Sequence, residues 1–180
     1  RGEKPDALLM TRERYTAHET VSQGAVSLDG AENASVQYAP CCRPVPGDPI
    51  VGYLGRGEGL VVHIADCPVA SRLRHKDAER FIHVEWADEP ARPFETGVIV
   101  TVTNGKGVLA RVASAFAGAE ADIIHMDMGE EAAQEATDLR FLIAVRDSTH
   151  LDRVLRALNR TTSALRANRT RPTSLACRPV

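Results

Sequence analysis

The sequence has no long apolar run. Nothing in its 180 residues approaches the roughly 18 consecutive apolar positions that a bilayer-spanning helix needs, and no secretory-leader pattern opens the chain. It has no initiating methionine. The first residue is Arg1, which reads as a fragment or processed chain of a parent whose main activity lies elsewhere. It has no large net charge: −2 at pH 7 offers no global electrostatic case for nucleic-acid or membrane binding. Cysteine is scarce, with four residues, and two of them are neighbours, Cys41 and Cys42. Adjacent cysteines pair with each other only under strain, because a disulfide favours Cα atoms about 5.5 Å apart. The pattern is therefore no secreted disulfide framework, and it suits a reducing, cytoplasmic protein. What is present is ordinary: 43% hydrophobic and 26% charged residues supply two modest cores.

Charge is unevenly spread. Residues 151–180 carry seven arginines (153, 156, 160, 166, 169, 171 and 178) against Asp152 alone. Such a tail suits a solvated helix face and a charge-guarded strand edge, and it also suits phosphate contact.

Along the chain, residues 1–24 are polar and irregular and read as linker, partly disordered, with a short helix around Ala7–Tyr15. Between 25 and 90 the segments are short. "SVQYA" (35–39), "IVGYLG" (50–55), "GLVVHIA" (59–65) and "FIHVEWA" (81–87) read as strands, with "GRGEG" (55–59) as a tight turn. "CPVASRLRHKDA" (67–78) reads as a helix with Asp66 as N-cap and Pro68 in the first turn. "DEPARP" (88–93) marks a boundary.

From 94 to 172 the rhythm changes. Strands are expected at 96–104, 122–130, 137–147 and 162–170, and helices at 107–119 and 148–160, the second N-capped by Ser148. The first helix pairs Val108, Val112 and Phe116 with Leu109, Ala113 and Ala117. The order β-α-β-β-α-β is the split βαβ, ferredoxin-like arrangement, with both helices on one face of a four-stranded antiparallel sheet. The other face is expected to carry Ile99, Thr101, Thr103, Ile123, His125, Leu142 and Ala144, apolar enough to call for a covering partner. His125 reads as a strand surface residue. Residues 173–180 form a tail, and Cys177 in it reads as incidental. The fold class is α+β: a small β-rich, zinc-finger-like module followed by the ferredoxin-like domain.

The cysteine pair acquires partners downstream. Cys41-Cys42-x20-His63-x3-Cys67 is a Cys3His set, a type that four-coordinate structural zinc favours. His63 ends a strand and Cys67 begins a helix, whose amides favour a thiolate. The difficulty is adjacency: neighbouring residues on a strand point to opposite sides, so both cysteines ligate only if the backbone turns. Pro40, Pro44 and Pro46 make a turned backbone plausible. The spacing equally fits two small buried thiols and a surface histidine.

The stretch "YAPCCRPVPGDPIVGYLGRGEGLVVHIADC" resembles the zinc-finger, or conserved-cysteine, segment of RelA/SpoT-type stringent-response enzymes. The resemblance lies in the adjacent cysteines, Pro44, Pro46–Asp48, the glycine-rich turn Gly55–Gly59, Val62–His63 and Asp66–Cys67. The second half is similar to the ACT domain of the same proteins, and together they cover about residues 25–172. The wording "CCRPVPGDPI" is closer to the bifunctional SpoT branch than to RelA. The resemblance implies a regulatory, non-catalytic region of an enzyme that makes, and often also hydrolyses, (p)ppGpp. It implies control of N-terminal hydrolase and synthetase domains, starvation sensing through ribosome and tRNA, zinc on the four ligands, and a homodimer through the ACT domain. No HD-type metal motif is present, and "NGKG" (104–107) lacks the P-loop frame.

"TNGKGVLARVASAFAGAEADII" resembles amino-acid-binding ACT domains. The expected ligand is a branched-chain amino acid. Helix-start amides and Gly107 suit its carboxylate, Asn104 and Asp122 its ammonium, and Val108, Leu109, Ile123 and Ile124 its side chain. Asp122 stands where metabolic ACT domains often have Asn, which favours an ammonium and disfavours a nearby carboxylate. The same residues also fit plain roles as helix cap, turn and strand start. A third reading is an RNA-contacting module using Arg43, Arg56, Arg72, Arg74 and Lys76 around the cysteine turn.

Overall fold

The computed structural model describes residues 26–28, 36–88, 92–128, 135–161 and 164–170. The expected linker 1–24 with its helix, the tail 173–180 with Cys177, and Arg171 and Arg178 lie outside them. Among the described residues no helix is long and apolar enough to cross a membrane.

The N-terminal half builds a four-stranded sheet in the order β2-β4-β3-β5, from β2 (Val36–Tyr38), β3 (Ile50–Leu54), β4 (Leu60–Ile64) and β5 (Phe81–Ile82). β3 and β4 form an antiparallel hairpin, closed where the Gly55 amide donates to the Gly59 carbonyl at 2.9 Å. β2 lies parallel to β4, which sets Tyr38 beside Val62. Helix α1 (Pro68–Lys76) follows β4. The expected strand 81–87 is broken at His83. β5 stays with β3, whereas β6 (Val84–Trp86) pairs in parallel with β1 (Val26–Leu28) in a separate two-stranded sheet.

The C-terminal half has the expected β-α-β-β-α-β order: β7 (Phe94–Thr103), α2 (Val108–Gly118), β8 (Asp122–Met128), β9 (Ala136–Val145), α3 (Ser148–Asn159) and β10 (Ala164–Arg169). The sheet order is β10-β7-β9-β8, all antiparallel. Strict alternation on β7 and β9 turns Val98, Val100, Val102, Leu139, Phe141, Ile143 and Val145 to the helices, where they are buried. Val112 and Phe116 of α2 and Leu151, Val154 and Leu158 of α3 complete that core.

Several expectations are corrected. Cys67, not Asp66, is the N-cap of α1, and Pro68 takes the first helical position, where its missing N–H costs no bond. Asp147, not Ser148, caps α3: its Oδ1 accepts from the His150 amide at 2.7 Å. The buried stripe of α2 runs through Val108, Val112, Ala115 and Phe116, leaving Leu109 and Ala117 exposed. A register shift between Ile123 and His125 makes Ile124 a bulge. Ile123 therefore pairs with inward-facing Ile143 and lies against Phe116, on the helix face rather than the outer one. The outer face is also less apolar than expected. Ile99, Leu142 and Ala144 are half-buried among Arg140, Asp127, Arg166 and a Thr101–Asp138 hydrogen bond of 2.6 Å.

The two halves share a core. Val45, from the loop after the cysteine pair, is fully buried in the C-terminal cluster. Tyr38, Trp86 and Phe94 stack beside it, Trp86 against Tyr38 at 5.7 Å and edge-on to Phe94 at 5.2 Å.

Candidate metal centre

The turn that was in doubt is real. The Ala39 carbonyl accepts from the amides of both Cys42 (3.3 Å) and Arg43 (2.8 Å), and Arg43 has φ +44°, in the left-handed region. The backbone is thus wound, not extended, at Cys41–Cys42, so both sulfurs reach one side. Pro40 lies inside this turn. Pro44 and Pro46 lie beyond it, in the loop that packs on the C-terminal half. The parallel pairing of β2 with β4 delivers the turn to His63, and the Ala39 amide extends that ladder to the Val62 carbonyl at 2.9 Å. A turn closed by the Cys67 amide on the Ile64 carbonyl, 3.0 Å, brings Cys67 back from the end of β4.

The four expected ligands converge and all are buried. One ligand atom from each of Cys41, Cys42, His63 and Cys67 lies within 4.8 Å of all the others. Cys41 Sγ is 3.5 Å from His63 Nδ1 and 3.7 Å from Cys67 Sγ, and Cys42 Sγ is 3.8 Å from the same nitrogen. A tetrahedral zinc with Zn–S of about 2.3 Å and Zn–N of about 2.0 Å has edges of roughly 3.8 Å between sulfurs and 3.5 Å between sulfur and nitrogen. The donor set and its spacing therefore fit zinc. If all four bind, protein would fill every position of a tetrahedral ion, the closed arrangement of a structural site.

The electrostatics also suit a thiolate. The hydrogen bond from Cys41, then that from His63, pull the Cys42 thiol down to about 5 against the opposing effect of burial. The Ile64 amide donates to Cys42 Sγ at 3.4 Å. Burial pushes the Cys67 thiol up, although the Ala70 and Val69 amides at the start of α1 oppose it. A bound cation would favour the charged form of both.

The loop leaving the centre is fastened to the C-terminal half. Arg169 of β10 forks onto Asp48, with nitrogen–oxygen distances of 2.8 and 2.7 Å, and donates to the Arg43 carbonyl at 2.8 Å. The Ser148 amide donates to the Pro46 carbonyl at 2.7 Å. The Trp86 indole donates to the Asp48 carbonyl at 3.0 Å. Gly47 has φ +95°, and a Cβ there would run into Ser148 Oγ. In sequence the only mark of this contact is the Gly-Asp pair of the "PGD" motif, whose turn needs a left-handed residue.

The other candidate residues are not gathered in this way. Asn104 and Gly107 (φ +75°) sit at the start of α2, where Val108 is buried in the core and Leu109 is exposed. Asp122, Ile123 and Ile124 sit past its other end, and eleven helical residues span about 16 Å. Asp122 and Ile123 line a shallow groove with Phe116, Ala117 and Ala121. Of the basic residues, Arg43 is bonded to Glu95 at 2.9 Å, on the side facing β7. Arg56, Arg72, Arg74 and Lys76 stay on the α1 side, with Arg56 3.6 Å from Asp77 and Arg74 over the Phe81 ring at 4.8 Å.

Comparison with known proteins matches both halves. The RelA/SpoT RIS domain model matches residues 26–87, and an ACT domain model matches residues 90–169. The chain is 32% identical over 152 residues to the bifunctional (p)ppGpp synthase/hydrolase SpoT of Escherichia coli K12, covering 84% of this chain and 21% of that protein. It is 28% identical over 146 residues to the GTP pyrophosphokinase of the same strain, covering 81% and 20%. The chain thus spans about a fifth of the length of these relatives. The crystal structure of the ACT domain from the GTP pyrophosphokinase of Chlorobium tepidum aligns with 43% of this chain and 99% of its own, at 13% identity and a TM-score of 0.39.

Proposed function

The chain is a RIS–ACT pair of the RelA/SpoT family, and from that premise we propose that it is the regulatory, non-catalytic region of a (p)ppGpp synthetase/hydrolase, built around a structural zinc. It controls N-terminal hydrolase and synthetase domains of the same parent in response to starvation, through contacts with ribosome and tRNA, in the reducing cytoplasm. The observation that carries this reading is the closed, buried Cys3His cluster, whose exit loop is bonded to the ACT domain. Such a cluster holds shape and offers no position for substrate. Zinc would be held by Cys41, Cys42, His63 and Cys67 and would supply cross-linking of the turn, β4 and α1. The chain's own residues supply everything else: the Ala39 carbonyl winds the turn, and the Ile64 amide orients Cys42.

The test is an assay of the purified chain for (p)ppGpp synthesis and hydrolysis, beside the same assay on a parent with and without this region. No turnover by the chain, and altered control of the parent on deletion, are expected. Measurable turnover by the chain alone contradicts the reading.

The exposed basic end of α1, with Arg72, Arg74 and Lys76 near Arg56, favours RNA as one partner of this region. Binding that weakens steeply with salt supports that contact. A second reading is a branched-chain amino-acid sensor. The left-handed Gly107 and the exposed Leu109, Ile123 and Ile124 favour it. Because Asn104 and Gly107 sit at the opposite end of α2 from Asp122, the ligand would need a second chain to complete its site, as in a homodimer through the ACT domain. Calorimetry with valine, isoleucine and leucine tests it, and absence of heat at millimolar ligand excludes it.

A further inference from the structure

We infer that residues 41–48 act as a strut through which closure of the metal centre is read directly by the ACT domain, so that metal binding in the RIS module stabilises α3 and β10. This rests on the zinc reading above and deepens it, since it names what the metal controls.

The geometry is continuous from ligand to core. Cys41 and Cys42 are the first two residues of the segment. Arg43, directly after them, holds a left-handed backbone that a residue with a side chain seldom adopts, so it persists only while both flanks are fixed. One flank is the cysteine pair. The other is the ACT domain: the Arg43 carbonyl accepts from Arg169 and its guanidinium bonds Glu95. Two residues on, Val45 is fully buried among the ACT side chains. The Pro46 carbonyl takes the amide of Ser148, the first residue of α3, a donor that the helix itself leaves without a partner. Gly47 lies so close to Ser148 that a Cβ there would meet the serine Oγ, which would have to turn away. Asp48 then receives the fork of Arg169 near the end of β10, while its side chain also accepts from the Val45 amide at 2.8 Å.

A segment attached at Arg43, Val45, Pro46, Gly47 and Asp48 transmits position rather than merely linking two modules. Metal fixes Cys41 and Cys42. That fixes the Arg43 carbonyl and the loop after it, and through them the cap of α3 and the edge strand β10. Without metal, the three sulfurs and the imidazole are linked to one another by sulfur hydrogen bonds of 3.5–3.8 Å, which are weak. The turn is then free to unwind, and Ser148 and Arg169 lose their partners. The coupling is thermodynamically reciprocal, so anything that stabilises α3 and β10 in place raises metal affinity.

The experiment is amide hydrogen exchange on the full 180-residue chain, zinc-loaded and chelator-stripped, with zinc counted in the same samples. Stripping is expected to speed exchange at Ser148 and across 164–169 at least tenfold. In an Arg169→Gln chain the loaded and stripped forms are expected to differ there much less. If zinc is bound and removed and these amides do not change, the coupling is overturned while the zinc reading stands. If the Arg169→Gln chain shows the full difference, the strut is not the route and the inference is overturned. If the loaded chain holds no zinc, the zinc reading is overturned and the coupling with it.

Discussion

Arg169 and Asp48 lie 121 residues apart and meet in a two-pronged ion pair of 2.8 and 2.7 Å, with side chains only 22% and 10% exposed. The pair joins the last strand of the ACT sheet to the loop that leaves the metal centre. It is a firm polar contact between the modules, because the guanidinium fork matches both carboxylate oxygens.

Removing one partner strands the other. Arg169→Ala leaves the Asp48 carboxylate largely buried without its countercharge and is expected to cost about 3 kcal/mol. Arg169→Lys restores charge but not the fork and is expected to recover less than half. Urea unfolding of the three chains checks both statements; equal stability of wild type and Arg169→Ala contradicts them.

Gly47 is constrained twice, by its φ of +95° and by Ser148 Oγ. Gly47→Ala is expected to destabilise by about 1–3 kcal/mol. Adding Ser148→Gly removes the clash but not the backbone strain, so the double variant is expected to regain part of the loss. Thermal melts of both chains provide the comparison, and a neutral single variant argues against the close approach.

His150 probes the ACT side of the coupling. It is buried in the ACT half, its Nε2 lies 2.8 Å from the Ala119 carbonyl, and its Nδ1 accepts from the Arg146 amide at 3.1 Å. These two bonds orient the ring and tie α3 to the end of α2. His150→Ala leaves both backbone groups unpaired and is expected to cost about 2–4 kcal/mol. At saturating zinc the stoichiometry, measured by elemental analysis below the unfolding temperature, is expected to stay at one per chain, while zinc affinity falls because α3 is loosened. Unchanged affinity in this variant would argue against coupling between α3 and the cluster.

Zinc affinity is expected to rise with pH. In the metal-free chain burial holds the Cys67 thiol above its ordinary range, so it is protonated at neutral pH and must release its proton on binding. Cys42, lowered to about 5, is already a thiolate there and releases none. Each proton released makes the apparent association constant change about tenfold per pH unit. Competition with a chelator at pH 6.5, 7.0 and 7.5 measures the slope; a flat profile contradicts the protonated Cys67.

The C-terminal half was legible because its hydrophobic period is regular: alternate positions from Val98 to Val102 and from Leu139 to Val145 face a core in any register that buries them. The bulge at Ile124 was not legible, since one extra residue in β8 leaves no mark on composition and yet moves Ile123 to the other face. The α3 cap went to Asp147 over its neighbour Ser148, a choice made by one residue of backbone geometry. Splitting of "FIHVEWA" between two sheets depends on β1, far away in sequence. The convergence of Cys41, Cys42, His63 and Cys67 was legible because few chemistries call for three cysteines and a histidine together. The turn that unites the adjacent pair was only half legible. Its prolines were visible, but the winding comes from the Ala39 carbonyl and the left-handed Arg43, neither of which a residue type announces.

The most direct measurement is zinc K-edge absorption on the purified chain, with metal content counted in the same sample. The expected result is one zinc per chain with three sulfurs at about 2.3 Å and one nitrogen at about 2.0 Å. Cys42→Ser is expected to reduce the sulfur count to two. Absence of zinc, or a Cys42→Ser chain that keeps three sulfurs, would contradict a centre built on the adjacent pair.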